Sequence, residues 1–218
     1  MATIIASHQH WEAKAGLLES IYSIRLGHCG TIYRWKSKCT IAFNVDRRSF
    51  SDDSYATYAI ECLEAAAHLW NEGDVGVQFE RVADHERATF RLVYEHQHGA
   101  TIAKAFPPNA VAYGQPRLIV FPASIGQTGY CDNLVGVFCH ELGHVLGLRH
   151  EHKEDAPSVL WGEANPLSVM NYFNDPKQFK IDDNDLKEVR DFYAYRGTHW
   201  MGLSIVDVDF VDFDPPSY

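Results

Sequence analysis

The chain has 218 residues, a formal charge of −10 (19 Lys and Arg against 29 Asp and Glu), and 46% hydrophobic and 22% charged residues. This is too apolar for a disordered chain, and the length suits one large domain or two small ones sharing a cleft. The acidic balance without a basic stripe excludes non-specific nucleic-acid binding. No apolar run approaches a membrane span, and residues 1–16 lack a signal peptide's basic and apolar regions. We therefore expect neither nucleic acid nor membrane as partner, and a soluble protein whose compartment, cytoplasmic or secreted through a removed leader or an unconventional route, the sequence does not fix.

In chain order, Thr40-Ile-Ala-Phe-Asn-Val45 predicts a strand. Residues 55–71, with Ala59, Cys62, Leu63, Ala66 and Trp70 near helical spacing, predict a long amphipathic helix stopped at Gly73. Two more strands follow at 77–82 and 88–94, and another runs from Arg117 to Phe121 after a Gly/Pro-punctuated loop. Residues 134–148 are apolar on nearly all sides, which predicts a buried helix. Beyond His150 the chain is rich in Pro, Asn and Asp until Asp182 caps a last helix to about Tyr195. The expected organisation is an N-terminal extension over 1–30 and a catalytic domain over 31–218, divided near Gly147 into an upper part (31–147) and a loop-rich lower part (148–218).

The stretch His140-Glu141-Leu-Gly-His144-Val-Leu-Gly147-Leu-Arg-His150 carries the chemistry. Histidines at i and i+4 share one helical face, so both imidazoles can reach one ion. Gly147 can take a positive φ, end the helix and swing His150 back to the same point, giving three nitrogen ligands. Three neutral imidazoles leave zinc its full charge and one open position for water, whose pKa falls towards ~7. Glu141 follows the first ligand directly, so its carboxylate lies beside the metal, placed to take the water's proton and later pass it to a leaving amine.

This pattern resembles the long zinc motif of the metzincin metallopeptidases. Ser168-Val-Met170-Asn-Tyr172 looks like their Met-turn, with Met170 as an apolar floor under the imidazoles. Tyr172 matches the position where astacins and serralysins carry a tyrosine that stabilises the transition state, a donor aimed where charge develops. The likeness covers most of residues 35–195. Ala103-Lys-Ala-Phe-Pro-Pro108, ahead of the strand from Arg117 to Phe121, resembles the loop and edge strand of matrixins, where an extended protein or peptide substrate adds on. Residues 182–195 resemble the family's last helix, Asp185-Leu186 and Phe192-Tyr193 included. The resemblance implies a mixed α/β (α+β) fold: a twisted, mostly parallel sheet with an antiparallel edge strand, an active-site helix and a smaller loop-rich C-terminal part. It further implies one catalytic Zn2+ and zinc-dependent endopeptidase activity. After His150 the chain departs from astacins, with His152-Lys-Glu-Asp-Ala156 in place of their Arg-x-Asp-Arg-Asp segment, so it reads as astacin-like and matrixin-like without being a standard astacin.

Two rival readings stay open on sequence alone: a catalytically idle, zinc-containing peptide-binding module, and a zinc amidase or aminopeptidase with a narrower cleft. Gly27-His-Cys29-Gly30 faintly resembles a matrixin cysteine switch, though its surrounding motif is missing. The alternating acidic and apolar residues 206–214 are consistent with a surface strand; calcium binding or an aspartate on zinc are the other readings. The five cysteines form no CxxC pair and imply neither a cysteine zinc site nor a disulfide framework.

Overall fold

Residues 40–45, predicted as a strand, form an inner strand of a six-stranded sheet, one position from its edge. The structure is a computed structural model that describes residues 2–5, 24–27, 30–96, 99–126, 129–130, 133–150, 158–162, 165–171, 173 and 175–210. Before the active-site helix the elements are β1 (Ala2–Ile5), β2 (Ile24–Leu26), β3 (Thr31–Trp35), β4 (Thr40–Val45), α1 (Asp53–Glu72), β5 (Gln78–Arg81), β6 (Phe90–Tyr94), β7 (Thr101–Ala105), β8 (Arg117–Val120), β9 (Ile125–Gly126) and β10 (Gly129–Tyr130). Then come α2 (Leu134–Val145), β11 (Leu148–Arg149), β12 (Val159–Trp161), α3 (Asp183–Ala194), β13 (His199–Trp200) and β14 (Leu203–Val208).

The main sheet has the order β1-β7-β8-β6-β4-β5. β5, β4, β6 and β8 are parallel neighbours, while β7 runs antiparallel to β8 and β1 antiparallel to β7. The mixed α/β class with a mostly parallel sheet and an antiparallel strand on one side is therefore as the sequence led us to expect. The placement of the edge is not. The strand from Arg117 to Phe121 ends at Val120 and lies inside the sheet, because residues 101–105, expected as part of a loop, form β7 and pair outside it. Alternate residues of the parallel strands share one face and form the core: Ile41, Phe43, Phe90, Leu92, Leu118 and Val120 are all buried, whereas Ala42, Arg91 and Arg117 next to them are half-buried or exposed.

α1 begins at Asp52, whose side chain accepts the Ser54 N–H, and ends at Gly73 as expected. Its buried stripe, Ala59, Cys62, Leu63, Ala66 and Trp70, packs against α2. The predicted helix over 134–148 is shorter: it stops at Val145, and Leu148 and Arg149 turn into β11. Gly147 makes this possible, with φ +97° and no room for a Cβ, which would come 2.5 Å from the Tyr33 carbonyl oxygen.

The first and last parts of the chain are both paired into this frame. β2 lies between β11 and β12 in a three-stranded antiparallel sheet. β14 runs parallel to β3, and its acidic residues find cations there: Asp207 pairs with the buried Arg34 at 2.6 Å, and Asp209, just beyond the strand, pairs with Lys36 at 3.0 Å. Arg34 also donates to the carbonyls of Phe192 and Tyr195, which ties the end of α3 to β3. This accounts for the described part of the acidic-apolar run as strand; residues 211–214 lie outside the described residues. Among the described residues, no helix is long and apolar enough to cross a membrane.

Candidate metal centre and active site

α2 is held from three sides before any ligand is considered. Asn133 caps its start, accepting the Gly136 N–H at 3.1 Å and donating to the carbonyls of Pro176 and Phe179. The indole N–H groups of Trp70 and Trp35 donate to the carbonyls of Cys139 and Val145, at 3.0 and 2.7 Å, and the Tyr193 hydroxyl donates to Leu146 at 2.9 Å. The Trp35 and Tyr193 donors satisfy carbonyls at the helix C-terminus, and Trp70 adds a further bond to the mid-helix carbonyl of Cys139.

On this helix the Nε2 atoms of His140 and His144 are 3.1 Å apart, and each is 3.0 Å from Nε2 of His150. All three rings are buried, and they form the one group of metal-ligating side chains found among the described residues. The other ring nitrogens fix the chemistry. His140 Nδ1 lies 2.6 Å from the Val169 carbonyl and His144 Nδ1 lies 2.8 Å from the Leu148 carbonyl. A carbonyl only accepts, so each Nδ1 carries the proton and each Nε2 presents a lone pair. Burial also pushes the His144 pKa down to about 4, keeping that ring neutral at pH 7. Lone pairs converging at about 3 Å repel one another unless a cation sits between them, and one ion about 2.0–2.1 Å from each nitrogen reaches all three. The donor set fits zinc.

Glu141 is fully buried, and neither of its carboxylate oxygens has a hydrogen-bond partner among the described residues. Burial lifts its pKa well above the usual carboxylate range; the polar backbone of Ala105 and the Lys104 ammonium, both on β7, pull the other way. An orphaned buried carboxylate costs stability, and such groups concentrate where a proton must be moved.

Below the rings, residues 168–171 make a tight turn closed by Asn171 N–H to the Ser168 carbonyl at 3.0 Å. Met170 is fully buried under α2, and a Cβ at Gly143 would come within 2.3 Å of its sulfur. The bare Gly143 thus seats Met170 between the two helical ligands. Asp185, at the third position of α3, accepts the Val169 N–H at 2.9 Å and so holds the turn from behind. The Asp182-x-x-Asp185 spacing is that of a capping box, which the structure forms; the bond to Val169 is additional to it. Of the other expected site residues, Tyr172 and Cys29 lie outside the described residues, as do His152 and Cys131. Phe173 stacks edge-on against Phe179, which itself contacts His140.

Comparison with known proteins agrees with this geometry. Human matrix metalloproteinase-26 is 30% identical over 103 residues, covering 44% of this chain and 33% of that protein. Cat matrilysin is 30% identical over 98 residues, covering 45% and 34%, and human matrilysin 26% identical over 129 residues, covering 59% and 43%. The chain thus spans less than half the length of these relatives. A solved structure of myroilysin superposes with a TM-score of 0.54 at 11% identity, over 75% of this chain and 96% of that one, a likeness of fold. Residues 34–194, most of the chain, match the family model for matrixins, so this protein belongs to the matrixin family of zinc metallopeptidases.

Proposed function

We propose that this chain is a zinc-dependent endopeptidase in which His140, His144 and His150 hold the metal and Glu141 is the general base and acid. The observation that carries this reading is the pairing of three converged, buried imidazoles with an adjacent carboxylate that is buried and has no hydrogen-bond partner among the described residues. A structural zinc site has no use for such a carboxylate, whereas hydrolysis needs one.

Zinc bound there supplies Lewis-acid polarisation of the scissile carbonyl and a water acidified towards ~7. Glu141 takes the proton of the attacking water and delivers it to the leaving amine nitrogen. Tyr172 takes the role of hydrogen-bond donor to the developing oxyanion, carried over from its place two residues after Met170. The Val169 and Leu148 carbonyls hold the tautomers of His140 and His144 in their metal-binding form. The substrate is an extended protein or peptide segment bound between an upper part (31–147) and a lower part (148–218). Its backbone pairs with β7, which lies outside the strand from Arg117 to Phe121 and carries Ala105 and Lys104 beside Glu141.

Cleavage of casein by the zinc-loaded protein and by Glu141→Ala tests this directly. Activity that is lost in the variant and abolished by a chelator supports the assignment. Equal cleavage by both proteins removes Glu141 as the base, and end-group analysis showing only terminal residues released replaces endopeptidase by aminopeptidase action.

A further inference from the structure

Where α2 ends decides where Gly147 can turn, and two buried donors hold that end. The Trp35 indole bonds the Val145 carbonyl at 2.7 Å, and the Tyr193 hydroxyl bonds the Leu146 carbonyl at 2.9 Å. A single side chain stands beside both donors. Arg34 precedes Trp35 in β3, and its guanidinium donates to the carbonyls of Phe192 and Tyr195, on either side of Tyr193. Being buried, Arg34 needs an anion for its charge. That anion is Asp207 of β14, 2.6 Å away on a strand that lies beyond the last helix. Among the described residues β14 is also the strand that pairs with β3, in unbroken register from Ser204 opposite Thr31 to Val208 opposite Trp35. From this chain of contacts we infer that Asp207 and Arg34 are positioning residues for the metal centre. They act through Trp35 and Tyr193 on the end of α2, and so on the turn that presents His150. This rests on the reading of His140, His144 and His150 as metal ligands.

Two observations make His150 the ligand that responds. The helix period fixes His140 and His144 relative to each other, whereas His150 reaches them only through the turn. That turn presses on β3: a Cβ on Gly147 would come 2.5 Å from the carbonyl oxygen of Tyr33, the residue before Arg34. Zinc holds nitrogen ligands at about 2.0–2.1 Å, so a displacement of about a few tenths of an ångström is felt as lost affinity. The hairpin of β13 and β14 is itself fastened to β12. The Trp200 indole donates to the Leu160 carbonyl at 2.9 Å, and its rings pack on Trp161. Asp207 therefore holds Arg34 from an anchored element rather than from a free arm.

The Asp207 side chain is 51% exposed, so Asp207→Asn removes the charge without opening the core. The test is a competition titration of the full chain with zinc alone, on variants whose circular dichroism matches the wild type. Asp207→Asn should weaken zinc binding about three- to tenfold, short of the ~10–100-fold lost with groups bonded directly to a metal-ligating histidine. Asp207→Glu keeps an anion within reach of Arg34 and should stay within about twofold of wild type. In a His150→Ala background, adding Asp207→Asn should change the affinity less than about twofold, because the ligand it acts through is gone. Wild-type zinc affinity in Asp207→Asn overturns the inference however far its urea midpoint falls, since the pair then holds the fold alone. So does a loss in Asp207→Glu as large as in Asp207→Asn, or an undiminished effect in the His150→Ala background. Absence of zinc binding by the wild-type chain overturns the metal-ligand reading, and this inference with it.

Discussion

Asp185 and His140 are joined through the backbone of a single residue, Val169. Asp185 Oδ2 accepts the Val169 N–H at 2.9 Å, and the Val169 carbonyl accepts the proton of His140 Nδ1 at 2.6 Å. The last helix thereby aims the first metal ligand without touching it. Asp185→Ala should leave the Val169 and Asp182 amides without their acceptor in a dry site, costing about 2–3 kcal/mol in chemical denaturation. It should also weaken zinc binding by about tenfold or more, as loss of groups supporting metal ligands does. Undiminished zinc affinity in a competition titration would show that the link is structural only.

The same carboxyl gives a pH dependence. Burial raises its pKa from 3.8 to about 6, opposed by the Ser168 hydroxyl and the Val169 amide. Because the folded value is the higher one, its contribution to stability is present below about pH 4 and is lost as pH rises through about 6. Asp185→Asn does not titrate. Its stability relative to wild type should therefore climb by about 2–3 kcal/mol between pH 4 and 7, read from urea midpoints across that range. A flat difference would place the titration elsewhere.

The helical part of the centre was legible because a period of 3.6 forces residues 140 and 144 onto one face, and a glycine at 147 is the cheapest way to turn His150 back. The last helical residue was less clear, since Leu146 and Leu148 prolong the apolar pattern around Gly147; the close approach of the Tyr33 carbonyl to Gly147 adds a reason for the turn that the sequence does not show. β7 was hidden for another reason. Thr101-Ile-Ala-Lys-Ala105 is short, contains alanine and lysine, which strands tend to avoid, and runs into two prolines, so local propensity pointed to a loop. Pairing with β8 and β1 overrides that preference. β1, β2 and β14 owe their existence to partners roughly 100 to 170 residues away, which no local pattern records. Asp185 could be named from the sequence, but its contact with Val169 depends on how α3 packs.

Glu141 presents a conflict between stability and activity. In the metal-free protein its raised pKa means that the carboxyl contributes favourably while protonated and loses that contribution as pH rises through its folded value. Glu141→Gln removes the charge and keeps the shape. Metal-free Glu141→Gln should be more stable than wild type by about 1–3 kcal/mol at pH 8, with the gap closing towards pH 4, while peptidase activity falls at least about a hundredfold. Thermal melts at the two pH values and a single cleavage assay check both halves. A variant less stable at pH 8 would mean that the carboxylate is in fact well partnered.

Gly143 and Met170 should show a change of sign in a double-mutant cycle. Alone, Gly143→Ala brings a Cβ to 2.3 Å from the Met170 sulfur and should destabilise by about 1–2 kcal/mol, the overpacking strain being partly offset by better helix propensity. Met170→Ala removes a fully buried side chain and should cost about 2–5 kcal/mol. In the Met170→Ala background the obstruction is gone, so Gly143→Ala should become neutral or stabilising by up to about 1 kcal/mol. Additive effects in urea unfolding would show that the two residues do not pack as described.

Zinc should act as a stabilising ligand that displaces no proton from His144 at pH 7. Three ring nitrogens lie about 3 Å apart in the centre, and an ion that binds only the folded state stabilises it by about 2.7 kcal/mol when free zinc is a hundred times Kd. For a chain of this size that corresponds to a rise in Tm of about 5–10 °C. Since burial holds the His144 pKa at about 4, this ligand has no proton to lose at pH 7. Calorimetric titrations in two buffers of different ionisation enthalpy should therefore show a proton release from His144 near pH 4, where it is half protonated, and none from this ligand at pH 7. His150→Ala should abolish most of the Tm rise, because two ligands from one helix face leave the ion without the residue that Gly147 turns back towards it. A zinc-induced rise as large in His150→Ala as in wild type would mean that the ion is held by other groups.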